Sequence, residues 1–233
     1  TQSRMGSGLI FNRNITDIEE AKQYLVDYWG EDRLSKDNIR VIDWTPYYSE
    51  NPWKDNIISI GMSSGFIEPL ESTGLALVQY QAHSLMQVIK SGMYYEENID
   101  IYNKEFKLRF EDCVDFVSAH YSKTNRTEKF WEFVKRTYKP TKNILAHLKL
   151  LEDGPRYGSQ SQYSHVFAGT NWTTWMYQLG YKIGEDESID KEYAKFLLDR
   201  YYDTIEKYRT NWGQLHSREV MRALDYAKYY RKN

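Results

Sequence analysis

Gly61-Met-Ser-Ser-Gly-Phe-Ile-Glu-Pro-Leu-Glu-Ser-Thr-Gly74 decides how this chain is read. A short apolar strand signal (Ile57, Ile58, Ile60) runs into it, and an apolar helix signal (Leu75 to Lys90) runs out. Strand, glycine loop and helix start together make a cradle for an anion or cofactor, because unpaired N–H groups and the helix dipole favour negative charge there. Glu68 and Glu71 have two readings of equal weight. They work as a general acid/base pair, or one of them lines the helix start, where the dipole stabilises a carboxylate. Pro69 holds Glu68 extended and predicts a local bend. Gly61-Met-Ser-Ser-Gly65 also matches the G-x-S-x-G elbow of serine hydrolases. No acid and histidine can be set beside it, however, and Phe-Ile-Glu-Pro follows where that motif needs a helix.

The 233 residues suffice for one or two domains with a sizeable core. A net charge of -2, with both signs mixed along the chain, excludes a nucleic-acid footprint. A single cysteine, Cys113, excludes an internal disulfide and fits a reducing compartment. No run approaches the roughly 20 apolar residues of a membrane span, and no signal-peptide pattern precedes the first strand. A cytoplasmic protein without a membrane partner is expected. The chain starts at Thr1 in what reads as the middle of a fold, so it is expected to be the C-terminal portion of a longer protein.

Along the chain, Leu9 to Phe11, Arg40 to Trp44 and Asn56 to Ile60 read as strands. Between the first two, Thr16-Asp-Ile-Glu19 is a capping-box pattern opening a helix that ends near Gly30. From Leu75 the pattern turns helical, with Leu75, Val78, Leu85, Met86 and Ile89 on the expected buried face and Gly92 as stop. Tyr102, Phe106, Phe110, Cys113, Val114, Val117 and Tyr121 mark an amphipathic helix. Phe130–Val134 and Ile144–Leu151 predict two shorter helices around Pro140, followed by a polar loop over 153–164. An aromatic helix spans Thr170–Leu179, stopped by Gly180. Ile189, Tyr193, Phe196, Leu197, Ile205 and Tyr208 mark a long helix ended by Gly213, with a last helix over Glu219–Tyr230.

The five histidines (His83, His120, His147, His165 and His216) show no pair at ligand spacing, so no metal site is expected. Cys113, on an apolar helix face, reads as an inert small hydrophobe. Phe167, Trp172, Trp175 and Tyr177 read first as core, although an aromatic stripe after a polar loop also suits a flat substrate.

The run Gly65-Phe-Ile-Glu-Pro-Leu-Glu-Ser-Thr-Gly74 resembles the signature of flavin-dependent halogenases of the tryptophan-halogenase family, nearly complete over its length. Arg4 to Phe11, Asp115-Phe-Val-Ser-Ala-His-Tyr121 with Arg126-Thr and Phe130-Trp131, and Asn171-Trp172 through Leu179-Gly180 resemble flanking family features. The resemblance implies an α+β fold. Residues 1–92 would be the C-terminal part of an FAD-binding module of the glutathione-reductase or monooxygenase type, and 93–233 a mainly helical substrate-side region. It implies reduced FAD supplied by a separate flavin reductase, dioxygen and a halide ion, giving hypohalous acid that travels an internal tunnel to a small aromatic substrate. It also implies a setting in antibiotic biosynthesis and leaves room for a homodimer. Carried onto this sequence, Glu71 is the catalytic, substrate-side glutamate, Thr73 and Gly74 bind halide, and Gly61, Met62 and Leu75 meet the flavin. Phe167 and Asn171 meet the substrate.

Several family features depart or are absent. No G-x-G-x-x-G is present, nor the Trp-x-Trp-x-x-Pro segment or an assignable relay lysine, so the chain alone is not expected to bind FAD tightly or to halogenate. Enzymes acting on free tryptophan place a stacking tryptophan where Phe167 stands. Their upstream acidic residue and paired tyrosines fall on Gln162, Pro155 and Arg156. The expected substrate is therefore an indole or related arene other than free tryptophan. The competing functions are a related flavin hydroxylase and a non-catalytic helical interaction module.

Overall fold

A computed structural model describes residues 6–92, 94–156, 165–185, 190–192, 195, 196, 198–200, 202, 203, 206 and 207. The chain divides into two units, one of 1–8 with 186–233 and one of 9–185. In the first unit, the described residues from 191 to 207 are helical, and the Arg200 guanidinium lies 5.7 Å from the Phe196 ring centre. Ile189, Tyr193, Leu197, Ile205, Tyr208, Gly213 and the expected last helix lie outside the described residues.

The unit 9–185 carries the motif. Helix α1 (Ile18–Trp29) starts at Asp17, whose side chain accepts from the Glu19 N–H at 2.8 Å, and ends at Gly30 with φ +90°. The cap thus falls one residue after the Thr16 of the expected box. Among the described residues four two-residue strands follow: β1 (Tyr47–Tyr48), β2 (Trp53–Lys54), β3 (Ile57–Ile58) and β4 (Gly65–Phe66). They pair antiparallel as β1 with β4 and β2 with β3, the latter a hairpin turned at Asp55 with φ +52°. The expected strands over Leu9–Phe11 and Arg40–Trp44 do not form, and the third shrinks to β3. Apolar content alone does not make a strand; it needs an edge to pair with, and none is offered to these segments among the described residues. Ile10 and Ile42 stay 44% and 63% exposed.

Helix α2 (Thr73–Ser91) ends at Gly92 in the left-handed region, as its sequence predicts. Its buried face is another matter. Thr73, Leu77 and Gln81 point inward at four-residue spacing, while Leu75, Met86 and Ile89 are exposed. The inward face is chosen by polar bonding: the Gln81 carbonyl accepts from the Gly61 N–H at 2.9 Å and its amide donates to Ser59 O. A buried amide so satisfied outweighs apolar periodicity pointing elsewhere.

Helix α3 (Glu96–Ala119) is the centre of the unit. Phe106, Phe110, Cys113 and Val117 pack with Ile67 and Leu77 in one core, while Phe116 and Ala119 pack with Ile144, Leu151, Trp172 and Met176 in another. Each fully buried aliphatic or aromatic side chain contributes about 1.5–3 kcal/mol. Burial pushes the Cys113 thiol upward, keeping it an unreactive core group. Helices α4 (Lys129–Thr137), α5 (Lys142–Glu152) and α6 (Gly169–Gln178) follow among the described residues. Buried Asp115 on α3 receives hydrogen bonds from Thr141 and Asn143 at 2.7 and 2.9 Å, and Thr141 also caps α5 through the Ile144 N–H. The boundary expected at residues 92 and 93 falls between α2 and α3, two helices packed together within this unit.

Candidate functional site

The motif begins on a glycine demanded by packing. A Cβ at Gly65 would lie 2.6 Å from the Phe110 ring and 2.9 Å from Tyr47 O. Just before it, Gly61 sits at φ +66°, and its carbonyl accepts from the Ser64 N–H and hydroxyl at 2.9 and 2.7 Å. Tyr47 donates its phenol hydrogen to Met62 O, and Trp44 donates its indole N–H to Ile67 O at 2.9 Å. The loop is therefore clamped on both sides before it reaches Glu68.

A sharp reversal follows. After Pro69, a 3-10 turn over Leu70–Ser72 carries Glu71 at φ 58°, ψ 12° and Ser72 at φ 53°, ψ 30°. Two successive left-handed residues with side chains cost roughly 1–2 kcal/mol each. Backbone held this way in a clamped loop marks a site where direction matters more than ease.

Both glutamates turn to the end of α3 and not to the start of α2, whose N-cap Ser72 makes no side-chain capping bond. The Tyr121 hydroxyl donates to Glu68 Oε1 at 2.7 Å, and burial together with that carboxylate pushes the Tyr121 phenol upward. Glu71 Oε1 lies 2.9 Å from His120 Nε2. The His120 side chain is 5% exposed and that of Glu71 37%, so the pair has a buried and an open end. The His120 ring stacks on Trp175 of α6 with centres 3.9 Å apart. The first turn of α2 holds no acidic residue, and both carboxylates bond to residues at the end of α3.

The other expected site residues separate into two groups. Thr73 and Gly74 open α2, where N–H groups lack acceptors within the helix. A Cβ at Gly74 would meet nothing within 4 Å. Leu75 follows, 67% exposed; Met62, 68% exposed, stands on the 3-10 turn that packs against α2. Gly74 thus stands open at the helix start beside two exposed apolar side chains, whereas Thr73 is buried. Gly61 is engaged inward by Gln81. Phe167 and Asn171 lie by α6. Phe167 stacks on Phe116 at 3.9 Å, and Asn171 Oδ1 accepts from the Ala168 N–H at 3.0 Å, which caps the helix. Gln162 lies outside the described residues, and Arg156 joins Thr173 of α6 through backbone bonds.

Asp112 was not singled out from the sequence, yet it fixes this region. Its buried Oδ2 accepts from the N–H groups of His165, Val166 and Phe167 at 3.0, 2.6 and 3.2 Å. Burial pushes its carboxyl upward, partly opposed by these three donors. His120 was likewise passed over, because the histidines were weighed for metal-ligand spacing. The available signal was its place in Asp115–Tyr121, one of the stretches resembling the family. No cluster of acidic, histidine or cysteine residues among the described residues is arranged to hold a metal, and no described helix is long and apolar enough to cross a membrane.

Residues 1–191 match the family model described as tryptophan halogenase. The chain belongs to the tryptophan halogenase family. The chain is 30% identical over 135 residues to the tryptophan 7-halogenase KtzQ of Kutzneria sp. (strain 744), covering 57% of the chain and 25% of the relative. It is 26% identical over 171 residues to the tryptophan 6-halogenase ThaL of Streptomyces albogriseolus, covering 67% and 31%. The chain thus spans about a quarter to a third of these relatives. In fold it is similar to a thermophilic tryptophan halogenase from Streptomycin violaceusniger, with TM-score 0.71, 20% identity and coverage of 85% of this chain and 40% of that one. It is also similar to a tryptophan halogenase from Shewanella frigidimarina NCIMB 400, with TM-score 0.68, 22% identity and coverage of 86% and 39%. The halogenase fold here is mainly helical with few, short strands.

Proposed function

We propose that the full protein carrying this halogenase chain places a halogen on an electron-rich aromatic ring, an indole or related arene other than free tryptophan. Bound reduced FAD, delivered by a separate reductase, supplies with dioxygen and halide the hypohalous acid that does the halogenation. On this reading residues 1–92 complete the FAD-binding part and 93–233 face the substrate. One observation supports the proposal: the reversal at Glu71 and Ser72, just before α2, turns the carboxylate to His120 at the end of α3, whose ring stacks on Trp175 of α6.

The residues then divide the work. Helix-start N–H groups at Thr73 and Gly74 hold the halide without a competing counter-ion, and the missing Cβ of Gly74 permits close approach. Met62 and Leu75 offer apolar contact to the flavin and keep water away from the halide. Glu71, on the other arm, orients the hypohalous acid: as the carbon–halogen bond forms, the halogen–oxygen bond breaks, Glu71 accepts the proton that the ring releases, and the departing hydroxide takes it up and leaves as water. Phe167 gives the ring an apolar surface, and Asn171 bounds it at the start of α6. Keeping oxidant and substrate on separate arms limits side reactions.

Glu71→Gln in the full-length protein keeps the shape of the side chain and removes its basicity. Halogenated product should fall by roughly a hundredfold or more, with flavin affinity unchanged. An undiminished rate would remove Glu71 from the chemistry. Competition between free tryptophan and other indoles tests the substrate class, and efficient turnover of free tryptophan would defeat it.

A further inference from the structure

The end of α3 is built unusually around His120. The His120, Tyr121 and Ser122 N–H groups donate to Val117, Ser118 and Ala119, three residues back, so the helix tightens in its last turn. The Phe116 carbonyl, which a further α-turn would use for the His120 amide, instead faces the His120 ring, with Nδ1 at 2.8 Å. A carbonyl only accepts, so Nδ1 carries a hydrogen. The other nitrogen, Nε2, meets Glu71 Oε1 at 2.9 Å, and that contact needs one further proton between them.

We propose that His120 is a positioning residue for Glu71, holding Oε1 through one shared proton so that Oε2 faces the substrate. The inference rests on the role given to Glu71 above. It deepens that role by explaining how a carboxylate on a strained, half-open loop keeps a fixed direction. The imidazole cannot carry the proton onward, because Nδ1 ends on a backbone carbonyl. His120 is therefore a clamp and not a relay. The end of α3 also favours positive charge through the helix dipole. The groups facing the ring are Glu71 from the motif loop, Phe116 from α3 itself and Trp175 from α6, with the Glu68–Tyr121 pair alongside.

The test uses the full-length protein with His120→Phe, which keeps a ring against Trp175 but has no donor, and His120→Gln, which keeps a donor that does not titrate. In His120→Phe, kcat should fall on the order of tenfold to a hundredfold, with KM within about threefold and melting temperature and flavin affinity retained. His120→Gln, which keeps a donor towards Glu71, should restore much of kcat. With 15N-labelled histidine, the His120 ring signals should move in Glu71→Gln at fixed pH. Unchanged kcat in His120→Phe, or a loss that tracks melting temperature without rescue by Gln, overturns the inference. If Glu71→Gln abolishes halogenation while His120→Phe does not, this inference alone fails. If Glu71→Gln is fully active, the functional reading fails and the clamp with it.

Discussion

At the scale of single residues, the halogenase motif spends conformational strain on direction. Glu71 and Ser72 occupy left-handed backbone without the glycine that makes it easy. Ser72→Gly should therefore stabilise the protein by roughly 0.5–1 kcal/mol in chemical denaturation. The same change should lower halogenation, since a looser pivot lets Glu71 wander. Greater stability with full activity would mean that the strain has no role. Glu71 was legible in the sequence because the surrounding wording is distinctive. Its strained backbone was not, since Glu-Ser carries none of the Gly or Asn signal that marks left-handed positions. His120 escaped for a related reason: its partner lies 49 positions away, and no local pattern announces a contact between a loop and a helix end.

At the scale of elements, α3 is what the others are referred to, and Asp112 shows how. Asp112→Ala strands three backbone donors and should cost about 2–4 kcal/mol in urea titration of the full-length protein. Asp112→Asn tests the charge. Burial raises the folded-state pKa of Asp112, so the native state binds its proton more tightly than the unfolded chain. Stability linked to this group is then greatest below the ordinary carboxylate range, near pH 4. It is lost as pH rises through the elevated value. The Asn variant should gain on wild type as pH rises, and a constant difference would refute the assignment. Helix positions and stops were legible here, because Gly30, Gly92 and Gly180 act through their own backbone. The inward face of α2 was not. There Gln81 satisfies buried backbone groups, and composition counts glutamine as surface.

At the scale of the whole molecule, class was legible and strand structure was not. The family membership rests on one long motif with its flanks, whereas the expected early strands depended on pairing edges that no local stretch reveals. With reductase, flavin and bromide, the full-length protein should give a product bearing the bromine isotope doublet. A hydroxylated product in its place would favour the monooxygenase alternative. One feature reaches further. The Arg156 backbone is tied to the Thr173 hydroxyl and the N–H groups of His165, Val166 and Phe167 to the Asp112 carboxylate, while Gly169 leaves no room for a side chain beside Arg156. On the side of Arg156 and 165–167 these bonds use main-chain groups only. Arg156, His165, Val166 and Phe167 are thus held by their backbones, so their side chains can change while the anchors stay in place.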